Sequence, residues 1–419
     1  MGKRYMKKVK ADKYRLYLGN SRKVLKDLPA DFVHSVVCDP PYGLSFMGKK
    51  WDHEVPSPKL WAEVYRVMKP GAYLIAFFGT RTYHRGVCAI EDAGFEIRDQ
   101  IAWLYGSGFP KSRDLSKDMD KIEGVERKVV GKTKTNDIRG GSFNHKDKGK
   151  STRVEINKTV ATSDLAKEWQ GWGSALKPAM EPIVLARKPL GKGNALASNA
   201  IEHGVGGINI DGCRIGVEER YNPPAGNKAG GNSLNMSKVG MPIDAEGTTA
   251  LGRWPANIIH DGSDEVTSKF SDGSDRFFYC AKASKADRDE GMEFSATKSM
   301  GGKGNGLQRV CSVCGSNILK GCDCPGRTYV HTESRKNHHP TVKPTDLMAY
   351  LCRLVTPKDG IVLDPFMGSG STGKAAMKED FRFIGVEMDP DYFEVAHTRV
   401  AHAAKKYAIR RKSLFKASM

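Results

Sequence analysis

The fold of this chain is decided by the stretch VLDPFMGSGST, residues 362–372. An apolar run ends at Asp364, a loop containing Gly368 and Gly370 follows, and residues 371–377 have the composition of a helix. A strand that turns through a glycine loop into a helix is the usual nucleotide-binding geometry of an open α/β sheet. The stretch therefore predicts an α/β protein with a nucleotide-like ligand at this loop.

The same stretch contains a near match to a phosphate-binding P-loop. Residues 368–374 have the P-loop spacing of glycines and lysine, but Ala375 stands where a magnesium-binding Ser or Thr is required. Asp364 would also place negative charge near a triphosphate. It suits a ligand with a cationic amino group, and Glu387, which ends the next predicted strand, is placed to hold ribose hydroxyls. The motif thus favours S-adenosylmethionine over a nucleoside triphosphate.

Strands and helices alternate at both ends of the chain. Before residue 106, strands are predicted over 14–18, 35–38, 72–78 and 96–104, with helices over 21–28, 59–68 and 81–93. After residue 340, helices are predicted over 344–354, 371–377 and 391–404, with strands over 361–363 and 382–386. We therefore predict a doubly wound, mostly parallel, Rossmann-like sheet built from both ends, with a large insertion between them.

A second motif, Asp39-Pro40-Pro41-Tyr42, directly follows the apolar strand 35–38. Active sites of α/β sheets lie at the carboxyl ends of strands. An exocyclic amino group on a base is a poor nucleophile, and acceptors for both of its N–H groups favour the nucleophilic form. Asp39 and the carbonyl of Pro40 can be those acceptors, since the prolines fix φ. Tyr42 can stack on a base flipped from the duplex.

Taken together, the motifs resemble those of the β class of DNA amino-methyltransferases, which modify N6 of adenine or N4 of cytosine. The order of motifs is that of the family, with the Asp-Pro-Pro-Tyr motif first, a target-recognition region over 191–338, and the glycine loop last. Residues 337–344 also resemble the family segment that leads into the first cofactor-side helix. Methyltransferases encoded by phages and prophages show a looser similarity.

The resemblance implies a methyltransferase fold and a set of site residues. The residues implied in catalysis are Asp39, Pro40 and Tyr42. Those implied in binding S-adenosylmethionine are Asp39, Lys343, Asp364, Phe366, Gly368, Gly370 and Glu387. Glu181 falls where the family has a strand beside the target base, which is a weaker correspondence.

The motifs divide the chain into six predicted segments. They are 1–106, the N-terminal half of the catalytic domain; 107–175, a basic insertion with one helix near 115–122; 176–190, a catalytic-domain strand; 191–338, the target-recognition region, with short strands such as 258–259 and 276–280; 339–405, the cofactor-binding half; and 406–419, a basic tail. A change of composition as long as 191–338 is typical of an inserted recognition region.

Four of the nine cysteines lie close together, as Cys311, Cys314, Cys322 and Cys324. Their spacing predicts a structural zinc site with four thiolate ligands. A zinc deaminase needs a His-x-Glu pair before its Cys-x-x-Cys, and here His331-x-Glu333 comes after it. None of the nine cysteines follows a proline, so covalent catalysis of the C5-cytosine type is not supported.

Charge indicates the partner. The chain has 67 Lys and Arg against 48 Asp and Glu, a net charge of +19, which favours a nucleic acid, DNA or RNA. The resemblance to the methyltransferase family implies double-stranded DNA. No apolar stretch approaches the ~18 residues of a membrane helix, so we expect no membrane association, and we expect the cytoplasm of a bacterial or phage-infected cell. A homodimer stays open as a further partner.

The sequence therefore predicts a site-specific enzyme that methylates an exocyclic amino group of a flipped base in duplex DNA. N6 of adenine is favoured, because N4-cytosine enzymes more often carry Ser where this chain has Asp39. N4-cytosine methylation is the alternative. A methyltransferase fold that binds DNA without catalysis, and methylation of RNA or a protein amide, are the readings from other classes. The recognition sequence does not follow from these residues.

Overall fold

The structure is a computed structural model. It describes residues 7–45, 52–106, 108, 112–136, 153–191, 193, 195–216, 220–221, 248–249, 252–270, 278–280, 285–292, 298–299, 309–311, 329–331, 334–335, 337 and 339–417. The chain forms two compact units. The first unit comprises Met1–Gly106, Met180–Glu293 and His339–Met419, and the second comprises Ser107–Ala179 and Phe294–His338.

The elements are numbered in chain order. The strands are β1 (Lys7–Lys10), β2 (Tyr14–Leu18), β3 (Val33–Cys38), β4 (Met68–Phe77), β5 (Glu96–Leu104), β6 (Val129–Asn136), β7 (Arg153–Thr159), β8 (Met180–Arg187), β9 (Arg220–Tyr221), β10 (Thr248–Thr249), β11 (Ile258–His260), β12 (Tyr279–Cys280), β13 (Lys298–Ser299), β14 (Arg309–Cys311), β15 (Tyr329–His331), β16 (Ser334–Arg335), β17 (Ile361–Asp364) and β18 (Arg382–Glu387). The helices are α1 (Ser21–Val24), α2 (Pro58–Val67), α3 (Tyr83–Glu91), α4 (Leu115–Ile122), α5 (Asp164–Glu168), α6 (Leu196–His203), α7 (Asp264–Thr267), α8 (Lys285–Asp289), α9 (Thr345–Val355), α10 (Ser371–Lys378) and α11 (Pro390–Ala417). Short 3-10 turns cover Leu25–Asp27 and Asp211–Cys213.

The first unit is built on a ten-stranded sheet of order β1-β2-β18-β17-β3-β4-β8-β5-β11-β12. Strands β1 and β8 run antiparallel to their neighbours, and the other adjacent pairs are parallel. The prediction of a mostly parallel sheet built from both chain ends is confirmed. None of the helices in the described part of the chain is long and apolar enough to cross a membrane.

The winding of the sheet reverses between β3 and β17. From β3 the chain passes through α2 to β4 on one side, and from β17 it passes through α10 to β18 on the other. The two strands are parallel neighbours, with Val36 opposite Leu363. Their carboxyl ends therefore meet at one edge of the sheet, which is where open α/β sheets bind ligands. Asp39 follows β3 directly and Asp364 ends β17.

Both faces of the sheet are covered, and β4 shows how the sequence achieves this. Tyr73, Ile75 and Phe77 pack in a core with residues of α9, α10 and α11. Leu74 and Ala76, which alternate with them, pack in a second core with residues of α1, α2 and α3. Side chains of a strand point alternately to opposite faces, so a continuous apolar run is buried on both sides.

Most element boundaries lie within a few residues of the predicted ones, and two of the differences have a clear origin in the sequence. Strand β4 begins at Met68, although Lys69, Pro70 and Gly71 predicted a break before residue 72. Helix α11 continues to Ala417 and includes most of the predicted basic tail. Residues 391–417 contain neither Gly nor Pro and are rich in Ala, Lys and Arg, so nothing in the sequence ends this helix at residue 405.

The compact units divide the chain differently from the predicted segments. The first unit continues to Glu293, and β11 and β12, which the sequence placed in the recognition region, extend the main sheet beyond β5. The second unit joins residues 107–179 to residues 294–338. The assignment of a target-recognition role within 191–338 stays a prediction.

The second unit contains α4, which has the predicted bounds, α5, and the antiparallel pair β6–β7. The buried carboxyl of Asp120 holds this region together. It accepts hydrogen bonds from Arg127 Nη1 at 2.6 Å, from the Ser163 backbone N at 2.9 Å and from the Thr162 backbone N at 3.3 Å. The base of the β6–β7 pair is thereby fixed to the helices.

Candidate active site at the carboxyl ends of β3 and β17

Four side chains of the first unit form a polar cluster next to the end of β3. The hydroxyl of Tyr42 lies 2.8 Å from Asp39 Oδ1 and 3.0 Å from Glu181 Oε2. Lys343 Nζ donates to Asp39 Oδ2 at 2.7 Å and to the Tyr42 hydroxyl at 3.1 Å, and lies 3.3 Å from Glu181 Oε2. We call these four residues the Lys343 cluster. Residues separated by up to 304 positions in the sequence meet here.

Burial and nearby charges set the protonation states of Lys343 and Tyr42, the two hydrogen-bond donors of the cluster. Burial lowers the pKa of Lys343, but Asp39 and Glu181 outweigh it, and the net shift is upward. Burial and the same two carboxylates raise the pKa of Tyr42 well above its ordinary value. At neutral pH the lysine is therefore an ammonium and the tyrosine a neutral hydroxyl, and both serve as hydrogen-bond donors to the carboxylates.

The loop that follows the two prolines is held by Asp52. This buried carboxylate accepts from the backbone N–H groups of Tyr42 at 2.6 Å, Gly43 at 3.0 Å and Leu44 at 3.3 Å. Thr82 Oγ1 donates to the Tyr42 carbonyl at 2.6 Å, and Gly43 has a φ of +67°, which favours glycine. Sequence reasoning missed Asp52 because an acid ten positions downstream forms no recognisable pattern with the motif.

Aromatic side chains pack beside the Lys343 cluster. The ammonium of Lys343 lies 5.0 Å from the ring centre of Phe77 and 5.4 Å from that of Tyr42. Trp103 pairs with Glu181 across β5 and β8, and its ring contacts Phe77 and Tyr105 edgewise or tilted. Burial, reinforced by Glu181, raises the pKa of Tyr105 to about 12. Phe77, Trp103 and Tyr105 are therefore neighbours of the polar cluster that no sequence motif indicated.

The glycine loop after β17 is organised by two carboxyls, the buried Asp364 and the half-buried Glu387. Asp364 Oδ1 accepts from the Phe366 backbone N at 2.9 Å, and burial raises the pKa of Asp364 to about 7. Glu387 Oε2 accepts from the Gly368 backbone N at 2.7 Å, and burial raises the pKa of Glu387 to about 7 as well. Glu387 Oε1 accepts from two further backbone N–H groups after β18. Both carboxyls thus shape the loop.

The loop glycines are required by packing as well as by backbone geometry. Gly368 and Gly370 have φ values of +52° and +78°. A Cβ on Gly370 would lie 3.0 Å from atoms of Ala396 in α11, and a Cβ on Gly368 would lie 2.9 Å from His339 Nε2. The space that a side chain on Gly370 would need is therefore occupied by α11.

Lys374, the lysine of the P-loop-like stretch, forms ion pairs within the protein. Lys374 lies in α10 with 1% of its side chain exposed, and its ammonium is 2.6 Å from both Asp287 Oδ1 and Glu290 Oε2. An ammonium held by two carboxylates is not available for phosphate. The geometry therefore agrees with the absence of a magnesium-binding hydroxyl at Ala375 in arguing against a nucleoside triphosphate site.

The structure brings the predicted residues together in two adjacent groups. Asp39, Tyr42 and Lys343 are in direct contact, and Asp364, Phe366, Gly368, Gly370 and Glu387 form the loop at the end of the neighbouring strand β17. Pro40 lies between Asp39 and Tyr42 in the same turn. Of the four predicted zinc ligands only Cys311 is within the described residues, at the end of β14, and Cys314, Cys322 and Cys324 lie outside them.

Comparison with known proteins identifies the family. The model of the N6/N4 DNA methylase family matches residues 33–398, which is most of the chain. The chain belongs to this family. It is therefore a DNA amino-methyltransferase, an enzyme of the class that depends on S-adenosylmethionine.

Individual relatives are distant. The chain is 22% identical to the type II methyltransferase M.HindIII of Haemophilus influenzae over 429 residues, covering 92% of this chain and 94% of that protein. It is 39% identical to the type II methyltransferase M2.MboI of Moraxella bovis over 67 residues, covering 16% of this chain and 24% of that one. Among solved structures, the cytosine-N4-specific PvuII DNA methyltransferase is similar at 14% identity and a TM-score of 0.43, with 96% of each chain covered.

A second solved structure, a DNA modification methylase of Thermus thermophilus complexed with S-adenosyl-L-methionine, is similar at 15% identity and a TM-score of 0.38, with 93% of each chain covered.

Within the described residues no group of three or more His, Cys, Asp or Glu side chains is arranged to hold a metal ion.

Proposed function

We propose that this enzyme transfers a methyl group from S-adenosylmethionine to N6 of adenine in duplex DNA. The observation that carries the proposal is the Lys343 cluster at the carboxyl end of β3, beside the glycine loop that ends β17. A carboxylate lies there in a turn of two prolines, surrounded by aromatic side chains. N4 of cytosine is the alternative target, and the preference for adenine rests on Asp39 at the first motif position.

Asp39 and the carbonyl of Pro40 accept the two N–H groups of the target amine in this proposal. Asp39 already accepts from Tyr42 and Lys343, one on each oxygen. A carboxylate offers about four lone-pair sites, so both oxygens keep the capacity to accept a further hydrogen bond. The prolines fix the backbone and hold the carbonyl in place. The ring of Tyr42 is the proposed stacking partner of the flipped base.

The residues of the glycine loop fit a cationic adenosyl ligand. S-adenosylmethionine supplies an electrophilic methyl group on a sulfonium when it is bound. The pKa values of the buried Asp364 and the half-buried Glu387 are raised, and a nearby cation stabilises the ionised forms of both carboxyls. We assign ribose binding to Glu387, contacts along the ligand to Phe366, Gly368 and Gly370, and the methionine end to Asp39 and Lys343.

Duplex DNA is the proposed partner, and the second unit carries most of the charge for it. Its ranges hold 23 Lys and Arg against 12 Asp and Glu, which is a surplus of 11 out of the 19 in the whole chain. Phosphate contacts of this kind give affinity rather than sequence choice. We keep target recognition within 191–338 and a homodimer as proposals.

Long-read sequencing of DNA from cells that express the enzyme tests the target base and the site together. The expected result is N6-methyladenine at one sequence, absent from cells that express the Asp39→Ala variant. N4-methylcytosine at one sequence would overturn the choice of base. Tritium transfer from labelled S-adenosylmethionine to purified duplex DNA, RNA and protein is the second arm, and transfer to RNA or protein alone would overturn the substrate class.

The cysteine cluster stays a prediction of structural zinc. Within the described residues, Cys311 ends β14 and lies opposite Tyr329 of the antiparallel strand β15. We expect one zinc per chain in protein purified without chelator, with Zn–S distances of about 2.3 Å. Elemental analysis checks this, with Cys314→Ser as the variant that loses the metal. Four titratable thiols and no metal would contradict it.

A further inference from the structure

Helix α8 and the residues that follow it contact four separate parts of the cofactor-binding half. The sequence placed residues 285–292 in the recognition region, but in the structure they belong to the first unit. Their partners are the start of α9, the middle of α10, helix α11 and the segment around His339. No family motif identified in the sequence covers these residues, and the proposed function assigns them no role.

Asp287 holds the start of α9. Its Oδ2 accepts from the Thr345 backbone N at 2.8 Å, and its Oδ1 accepts from Thr345 Oγ1 at 2.6 Å. The first backbone N–H groups of a helix have no partner within the helix, so this carboxylate acts as a cap supplied from elsewhere in the chain. Thr345 is separated from Lys343 only by Pro344, whose φ is −58°. The cap therefore fixes the backbone that presents Lys343 to Asp39.

The same carboxylate binds α10 below the glycine loop. Lys374 Nζ donates to Asp287 Oδ1 at 2.6 Å and to the Asp287 carbonyl at 2.9 Å. The buried Arg399 of α11 donates from Nη2 to that carbonyl at 3.3 Å and from Nη1 to the Ser369 carbonyl at 2.6 Å. One turn of α8 is thereby joined through Arg399 to the loop residue between Gly368 and Gly370.

Arg288 completes the set of contacts. Its Nη2 donates to the His339 carbonyl at 2.7 Å, and the His339 ring lies where a side chain on Gly368 would be. Burial lowers the pKa of the His339 side chain to about 3, so this ring is neutral at physiological pH. Both sides of the proposed cofactor site, the segment leading to Lys343 and the glycine loop, are therefore tied to α8.

We propose that Asp287 is a positioning residue, which sets the spacing between the Lys343 segment and the glycine loop and so determines affinity for S-adenosylmethionine. This inference rests on the proposed function, because it assumes that the ligand lies between those two elements. Glu290 provides a matched control. It pairs with the same lysine at the same distance of 2.6 Å, and its described contacts are with Lys374 and Lys406, neither of them at the start of α9.

The test compares Asp287→Ala with Glu290→Ala in the full-length protein. Each variant removes one carboxylate from Lys374, so we expect both melting temperatures to fall. The fall should be larger for Asp287→Ala, which also loses the cap of α9. We expect Asp287→Ala to raise the Kd for S-adenosylmethionine at least about tenfold by calorimetry, and Glu290→Ala to change it less than about twofold. In binding free energy, the expected loss is roughly 1.4 kcal/mol or more for Asp287→Ala and less than half of that for Glu290→Ala.

Two further variants separate positioning from stability. Asp287→Asn keeps an acceptor for Thr345 while it removes the charge, and it should recover most of the affinity that Asp287→Ala loses. Thr345→Val keeps both ion pairs of Lys374, removes only the hydroxyl bond, and should raise the Kd a few-fold. Both remain informative if Asp287→Ala does not fold.

Equal Kd values for Asp287→Ala and Glu290→Ala, or Kd values that follow melting temperature across all four variants, would overturn the positioning role. The failure of the proposed function looks different. In that case the wild-type protein itself binds neither S-adenosylmethionine nor S-adenosylhomocysteine, and the inference that rests on it falls with it.

Discussion

Two buried lysines in the first unit each lie between two carboxylates, and their surroundings give them different roles. Lys343 is held by Asp39 and Glu181 at the carboxyl edge of the sheet, beside the hydroxyl of Tyr42. Lys374 is held by Asp287 and Glu290 inside the packed layer of α10. We call Lys374, these two acids and the adjoining Arg399 the Lys374 cluster.

Charge pairing alone therefore does not distinguish a lysine at the proposed active site from one in the packed interior. Both ammonium groups are compensated at distances of 2.6 to 3.3 Å. The difference is position, because the carboxyl ends of β3 and β17 flank the reversal in winding where ligands bind, and the interior of α10 does not. The P-loop-like spacing around Lys374 would have suggested the opposite assignment.

The largest effect is expected at Asp39. Asp39→Ala removes the carboxylate that accepts from the target amine, and we expect methyl transfer to fall by about 10³-fold or more, by analogy with the loss of a preorganised hydrogen-bonding group. Tritium transfer to duplex DNA measures this, and DNA affinity measured by fluorescence anisotropy should change little. Near-normal turnover would remove the Lys343 cluster from the mechanism.

The next effect distinguishes the two lysines directly. Lys374→Met leaves Asp287 and Glu290 without their shared cation, and breaking a buried pair in this way costs about 3–5 kcal/mol of stability. Lys343→Met also leaves two carboxylates without their shared cation, so it should lose stability too. In addition it should lower methyl transfer by the folded enzyme by about 10²-fold, because it disturbs groups at the reacting edge. Chemical denaturation and turnover are measured on both. If Lys374→Met is the stable but inactive variant, the two assignments are reversed.

A smaller effect is expected at the loop above the Lys374 cluster. Gly370→Val adds a side chain against Ala396 at a φ of +78°, and the backbone strain alone costs of order 1–3 kcal/mol. The melting temperature should fall, and Gly370→Ala should show a smaller fall with the same sign. A valine variant as stable as the wild type would show that α11 does not pack tightly against this loop.

The smallest effect is a dependence of cofactor affinity on pH. Asp364 and Glu387 bond to backbone N–H groups rather than to a lysine, and burial raises the pKa of each to about 7. Between the ordinary pKa of a carboxyl group and about pH 7, the two carboxyls are therefore protonated in the folded protein and ionised in the unfolded chain. Their contribution to stability therefore falls as pH rises through this window.

A cationic ligand favours the ionised carboxyls, so its binding should strengthen over the same window. We expect the affinity for S-adenosylmethionine to rise by up to about tenfold per pH unit, for each carboxyl that must ionise, between pH 5.5 and 7. Calorimetry at several pH values measures the slope. The Asp364→Asn variant should show a shallower slope, and an affinity that falls with rising pH would contradict the sign.

Local sequence patterns predicted several elements correctly, among them the two strands next to the proposed site. The apolar runs before Asp39 and Asp364 predicted β3 and β17, and the helix over 115–122 has the bounds predicted for α4. Each motif lies in one short stretch, where the order of residue types is itself the signal. For this reason the two halves of the site were predicted together with their position at the sheet edge.

Side chains that come from distant segments could not be predicted in this way. Asp52, Asp287 and Glu290 act through contacts with residues 8 to 116 positions away, and no periodicity connects them to their partners. Strand β1, with the sequence KKVK, has no apolar alternation and is formed through its pairing with β2. Such features depend on the folded sheet, so they appear only once the tertiary structure is known.

The antiparallel strand β8 has a consequence for how this enzyme tolerates change. Leu104 at the end of β5 pairs directly with Met180 at the start of β8, so residues 105–179 leave and rejoin the sheet at a single point. The entropic cost of closing a loop grows with the logarithm of its length. Closing this connection therefore costs only about 3 kcal/mol more than closing a loop of about four residues. The register of Glu181 is set by its pairing with Trp103 in β5, not by the length of this connection. We therefore expect the chain to accept changes of length beyond Tyr105 without loss of the sheet that holds the proposed site.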